Sequence, residues 1–262
     1  MELYIAGGVG EHGRNCFFLQ NGGDAILVDC GLMAGSDDPL PRLTESQIRK
    51  LKAVFLTHSH ADHTGALPWL LRQGYTGPII STTPTLQQLP FIVQNAVALE
   101  QVAPRNEKCN GITWGLSGHC EGSVWLKLDW DDKAILFSGD YTEQSAVYPC
   151  DVLRHQVADL AVLDCAYGHD STLWNDSVTA AAAAVENLLE KNPIVFLPVP
   201  KYGRGLDLLL QIRHRLPYVP MYGDAHFCKQ TEIALVDRKW YKPLPQRILR
   251  SVRPDVAENE GV

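Results

Sequence analysis

Residues 58–63 read His-Ser-His-Ala-Asp-His, so His58, His60, Asp62 and His63 place three imidazoles and a carboxylate within six positions. These are the groups that divalent zinc, manganese and iron take from proteins. Four of them in so short a stretch cannot all reach one ion. The alternating pair His58 and His60 and the adjacent pair Asp62 and His63 point two ways, which suits two ions held side by side. A polar turn with solvated histidines is the plain alternative. It fits poorly, because an apolar run leads straight into the cluster.

That run, Ala53-Val54-Phe55-Leu56-Thr57, has the pattern of a buried strand, and from Thr64 to Leu71 apolar residues recur at helical spacing. The cluster therefore sits on a turn between a strand and a helix. Upstream, residues 3–6, 16–20 and 25–29 read as strands, the last two joined by the hairpin turn Asn21-Gly22-Gly23-Asp24. The glycine-rich loop 7–15 lacks the Gly-Lys-Ser/Thr ending of a nucleotide loop and has no helix after it. His12 and Arg14 on that loop face either the cluster or solvent. Downstream, Thr85 is placed to cap a helix over 86–100. Strands follow at 124–128, 134–140 and 159–164. A helix is predicted over 178–191, capped by Asp176 or Ser177 and stopped by Asn192-Pro193. Residues 194–198 read as a parallel-type strand, a further helix opens after Arg204, and a last strand from Tyr218 leads out to His226.

The chain has 262 residues, enough for one large or two modest domains, and its 45% hydrophobic and 20% charged content is that of a globular protein. A net charge of -7 gives no overall attraction to nucleic acid, although bound divalent cations reverse the field locally. The seven cysteines are scattered singly, an odd number without a Cys-x-x-Cys pair, which favours reduced thiols over a disulfide framework. Met1–Ile5 lacks the basic region and apolar run of a secretory leader, and no apolar stretch is long enough to span a membrane. The expected location is cytoplasmic.

The six-residue cluster resembles the signature of the metallo-β-lactamase fold superfamily. Gly65-Ala66-Leu67-Pro68, Gly77-Pro78-Ile79-Ile80 and Thr82-Thr83-Pro84-Thr85 are similar to its β-CASP nuclease branch. The resemblance implies an α/β protein: a four-layer αβ/βα sandwich with a reduced β-CASP-like C-terminal part. The expected divisions are a metallo-core over 1–160, the reduced segment over 161–235 and a basic, then acidic, segment over 236–262. His119, in Gly118-His119-Cys120-Glu121-Gly122-Ser123, matches a ligand motif and would join His58 and His60 on one ion. Asp140, after Ser138-Gly139, matches the carboxylate that bridges to a second ion held with Asp62 and His63. Asp29 would support the ligands from behind. Asp164, in Asp164-Cys165-Ala166-Tyr167-Gly168, matches a carboxylate that partners a histidine general acid, with Ala166 where threonine is usual. Arg204, at the start of a helix, either meets a substrate phosphate or is simply solvated. The branch's Ser-x-His-Ala-Asp stretch and its last ligand histidine are missing, and His226 is the candidate to stand in for one of them.

The resemblance implies hydrolysis of a phosphodiester in RNA or single-stranded DNA by a hydroxide held between two divalent ions. Zinc is the expected metal, with manganese or iron as alternatives. Asp62, Asp164 and His226 are the expected catalytic residues, Asp164 with His226 or a metal-bound water supplying the leaving group's proton. A hydrolase of the same fold acting on a thioester, lactone or small phosphodiester is the second reading. A weakly active binding or scaffold relative is the third, motivated by the missing histidines. Arg238, Lys239, Lys242, Arg247, Arg250 and Arg253, interleaved with Trp240 and Tyr241, form a basic segment that is either a solvated terminal stretch or a surface that steers a polyanion and stacks its bases. No membrane partner is expected, and a homo-oligomer stays open.

Overall fold

In the computed structural model, which describes residues 1–254, the alternating apolar stretches pair into sheets. The acidic tail from Asp255 lies outside the described residues. Strands β1 (Glu2–Gly7), β2 (Cys16–Asn21) and β3 (Asp24–Val28) form an antiparallel meander. The sheet continues in parallel through β4 (Leu51–Phe55), β5 (Ile79–Ser81) and β6 (Ala96–Ala98). A second sheet pairs β7 (Ile112–Leu116), β8 (Val124–Trp130) and β9 (Lys133–Phe137) antiparallel, with β10 (Leu160–Val162) parallel to β9. With helices α1 (Glu45–Lys50), α2 (Ala61–Thr64), α3 (Leu67–Arg72), α4 (Thr83–Gln88) and α5 (Leu99–Val102), they belong to the first of two compact units, residues 1–117, 122–141 and 150–166.

Side chains alternate across each strand, so the first sheet has two apolar faces. Cys16, Phe18, Leu27, Val54 and Leu56 pack with Ile48 of α1 and with Leu67 and Leu70 of α3. Phe17, on the opposite face, meets Phe137 of β9 with ring centroids 5.7 Å apart, so sheet packs on sheet. The class is the expected mixed α/β one. Because β3 and β4 run parallel, as do β9 and β10, each pair ends at the same edge. Asp29, His58, Asp140 and Asp164 all follow those strand ends.

The helix expected over 86–100 is not formed. Thr82, not Thr85, caps α4 by accepting from the Thr85 N–H, and the helix stops at Gln88. Pro90 explains the stop: it lacks an N–H, and its ring drives Leu89 to φ -60°, ψ 136°. Residues 96–98 instead extend the sheet as β6. The apolar run after the cluster forms two short helices, α2 and α3, rather than one.

The second unit comprises residues 118–121, 142–149 and the described residues from 167 on. It contains α6 (Trp174–Leu189), α7 (Gly205–Arg215), β11 (Met221–Gly223), α8 (Ala225–Val236), α9 (Gln246–Leu249) and β12 (Val252–Pro254). Helix α6 begins ahead of the expected caps, with Leu173 as N-cap and Asp176 in its first turn. Residues 194–198 do not form the expected strand, and Ile194 and Phe196 are 65% and 86% exposed. A strand is stabilised by a hydrogen-bonded neighbour, and β11 pairs with β12 instead. Trp240 and Tyr241 are 6% and 2% exposed, so they are core residues and not the base-stacking surface expected of them. Tyr241 lies against Tyr148, and the Lys242 ammonium donates to the Ser145 carbonyl at 2.6 Å. No described helix is long and apolar enough to cross a membrane, and the cysteines are all free thiols.

Candidate metal centre

The 58–63 cluster leaves β4 on a loop stitched to two other loops by backbone hydrogen bonds. The N–H groups of Asn15, Cys30 and Leu32 donate to the carbonyls of Asp62, His63 and Ala61 at 2.8, 2.8 and 2.9 Å. The Ala66 N–H returns to the Cys30 carbonyl. These contacts fix where His58, His60, Asp62 and His63 emerge. Asp140 is placed by Gly139 at φ +54°, where a Cβ would lie 2.8 Å from the Thr57 Cβ. Only glycine fits there without moving β4's end away from β9's.

His58, His60 and Asp140 each offer one ligand atom within 4.8 Å of the others. His58 is fully buried, and its ring centroid lies 4.7 Å from that of His60 and 4.0 Å from that of His63. Asp140 faces two imidazoles at once: one oxygen lies 3.1 Å from His63 Nε2, the other 3.8 Å from His58 Nε2. Asp62 approaches His63 Nε2 at 3.6 Å. The other ring nitrogen, His63 Nδ1, lies 2.8 Å from the Asp29 carboxylate. Asp29 is itself buried at φ +60° and accepts from the N–H and hydroxyl of Thr57 at 2.8 and 2.9 Å. That contact orients the ring and turns Nε2 toward Asp62 and Asp140, the usual duty of a carboxylate behind a metal-binding histidine.

The electrostatics agree with this donor set. Burial alone would lower the His63 pKa, but the charges and hydrogen bonds of Asp29 and Asp140 outweigh it and hold the pKa well above the ordinary imidazole value. A pocket that draws a proton onto a buried ring between two carboxylates also draws a cation. Asp29→Asn is expected to weaken zinc affinity by about 10–100-fold while leaving the fold intact. Competition with a chromophoric chelator measures it, and unchanged affinity would make Asp29 a plain turn residue.

A cavity of about 430 Å³ lies beside these residues and is lined by Asp29, Asp62, His63, Asp140, His12 and Asp164, among others. Asp164 accepts the N–H groups of Ala166 and Tyr141 at 2.9 and 3.3 Å, and its own N–H donates to Ser138 Oγ. Arg14 does not face the site. Its buried guanidinium is held by Glu11 at 2.7 Å and Asp38 at 2.9 Å.

His119, Arg204 and His226 belong to the second unit. His119 is 9% exposed in the turn between β7 and β8. Arg204 is the N-cap of α7, with its guanidinium 5.0 Å from the Trp174 ring centroid and 5.6 Å from that of Tyr167. The strand expected to lead out to His226 is β11, which ends three residues before it at Gly223. Asp224 caps a helix there, and His226 is the second residue of α8, with Nε2 3.0 Å from the Lys201 carbonyl. Its ring meets Tyr202 edge-on. Thr57 and Asn15 were missed by sequence reasoning. Asn15 places its amide nitrogen 3.0 Å from His63 Nε2 and 3.2 Å from the Asp62 carbonyl. No local pattern reports a contact 48 residues away.

The family model described as the metallo-beta-lactamase superfamily matches residues 9–188. A transcription termination factor, FttA, of Methanosarcina mazei is 26% identical over 89% of this chain and 43% of its own length. Ribonuclease TTHA0252 of Thermus thermophilus is 25% identical over 86% of this chain and 58% of its own. The Probable RNase MJ4 of Methanocaldococcus jannaschii is 23% identical over 90% of this chain and 62% of its own. The chain thus spans about half the length of the curated relatives it matches.

Proposed function

The chain belongs to the metallo-beta-lactamase superfamily, and on that premise we propose that it is a metal-dependent hydrolase that cleaves phosphodiester bonds in RNA or single-stranded DNA. The observation that carries the reading is Asp140, whose two oxygens face two different imidazoles. That geometry supports two ions. His58, His60 and His119 would hold one, Asp62 and His63 the other, and Asp140 would bridge them. Zinc fits the imidazole-rich donor set, as do manganese and iron. When bound, such ions lower the pKa of water and polarise a phosphoryl oxygen. The ribonuclease names of two relatives favour RNA as the substrate.

The chain's own residues supply orientation and proton transfer. Asp29 holds the His63 ring, and Asn15 ties the 58–63 loop to the glycine loop. Asp164 lines the same cavity with both oxygens engaged as acceptors, which suits an anion that positions a proton donor or an incoming water. Arg204, already stacked on two rings, is a candidate for a substrate phosphate, as arginine in such a stack keeps its N–H edge available. The sequence resemblance alone would make His226 the proton donor, and its Nε2 lies 3.0 Å from the Lys201 carbonyl.

The test is metal analysis followed by assays on labelled RNA, labelled single-stranded DNA and an aryl phosphodiester. Metal-dependent cleavage of either polynucleotide supports the reading, and hydrolysis of the small ester alone excludes it. Asp164→Asn is expected to keep its metal and slow turnover by roughly 10²-fold. Unchanged turnover would reduce Asp164 to a turn residue. One observation favours a small uncharged substrate instead: neither lysine nor arginine is among the residues lining the cavity. Assays on thioesters and lactones test that second reading.

A further inference from the structure

We propose that His12 is the proton donor to the leaving group, an assignment that rests on the phosphodiester reading above. An alkoxide leaving oxygen needs a proton at neutral pH, and the donor must reach the cavity where the ester lies. Five of the residues lining that cavity are carboxylic acids: Glu11, Asp29, Asp62, Asp140 and Asp164. Each has other work. Glu11 holds the Arg14 guanidinium with both oxygens at 2.7 Å, and that hydrogen bonding lowers its pKa to about 2, so it has no proton to give. Asp29 is buried against His63 and Thr57. Asp62 and Asp140 face the His63 ring, and Asp164 accepts two backbone N–H groups.

Two imidazoles line the cavity, and His63 is engaged on both nitrogens. His12 is the other. It is exposed and, among the described residues, makes no hydrogen bond or ion pair. Gly10 at φ +72° and Gly13 at φ +106° bend the loop around it, and the Glu11–Arg14–Asp38 ion pairs anchor that loop. An imidazole with no protein partner at the rim of an acid-lined cavity is placed to serve a substrate. In the step assigned to it, the bond from phosphorus to the leaving oxygen breaks and its electron pair passes to that oxygen. The oxygen takes an N–H proton from the His12 ring, water supplies the new oxygen on phosphorus and gives up a proton to solvent, and solvent returns a proton to His12.

Two esters of thymidine 5′-phosphate test this, one with p-nitrophenol and one with methanol as leaving group. p-Nitrophenolate departs without a proton, and methoxide does not. His12→Gln in the zinc-loaded chain is expected to lose about 10²-fold on the methyl ester and less than about 3-fold on the aryl ester. Equal loss on both esters, or loss on neither, overturns the proposal, as does a fall in zinc content. The His12 ring signals in the NMR spectrum of the wild-type chain, identified by their absence from His12→Gln, are expected to shift on titration with thymidine 5′-phosphate. Signals that stay fixed also overturn it. A wild-type chain that cleaves both esters but no polynucleotide would remove the nucleic-acid substrate and leave the His12 test intact.

Discussion

Asp140→Ala is expected to strip the chain of both metal ions and to abolish hydrolysis. In the proposed centre each of the other ligands would serve one ion, whereas Asp140 turns one oxygen to His63 and the other to His58. Removing it leaves two incomplete sites instead of one. The loss should exceed the 10–100-fold scale of a supporting partner such as Asp29. The Asp140 side chain is 32% exposed, so its truncation opens no buried cavity and the fold should survive. Elemental analysis after zinc reconstitution, with circular dichroism as the folding control, reads the outcome. A folded variant that keeps two ions per chain would show that Asp140 does not bridge.

Gly31→Ala should be nearly as damaging, through packing alone. A Cβ at residue 31 would sit 1.7 Å from the Asp62 carbonyl oxygen and 2.3 Å from its carbon. Those are backbone atoms, and the loop that carries them is pinned on both sides through Cys30, Leu32 and Asn15. The added methyl group must therefore push the 58–63 loop off its ligand geometry or part it from residues 30–32. Overpacking of this kind costs about 3 kcal/mol. In a chain of this size that lowers Tm by roughly 6–12 °C. Metal content should fall with it. Gly23→Ala is the control, because no atom lies within 4 Å of a Cβ there and its φ is not positive. A Gly31→Ala chain with unaltered Tm and zinc content would mean the two loops are not in contact.

Local information determined the chemistry and much of the framework. The ligand types and their spacing in His58, His60, Asp62 and His63 are covalent facts. The strand before them and the two-residue turn at Gly22-Gly23 follow from side-chain alternation and from glycine's access to positive φ. The stop at Pro90 rests on a local property, a missing N–H, yet the helix expected over 86–100 runs through it. The tertiary structure decided what depends on a neighbour. Residues 194–198 have strand composition and no strand, because a ladder needs a second chain segment within hydrogen-bonding reach. Trp240 and Tyr241 look like a stacking surface in a basic run and are buried, because exposure belongs to the packed chain and not to its composition. The contacts of Asn15 and Asp29 with His63, and of Asp29 with Thr57, span 48, 34 and 28 residues, separations that no local period encodes. They exist because the parallel pair β3 and β4 ends at one edge, where the antiparallel β2 begins, and there the tertiary fold turns a run of ligand-type residues into a candidate metal centre.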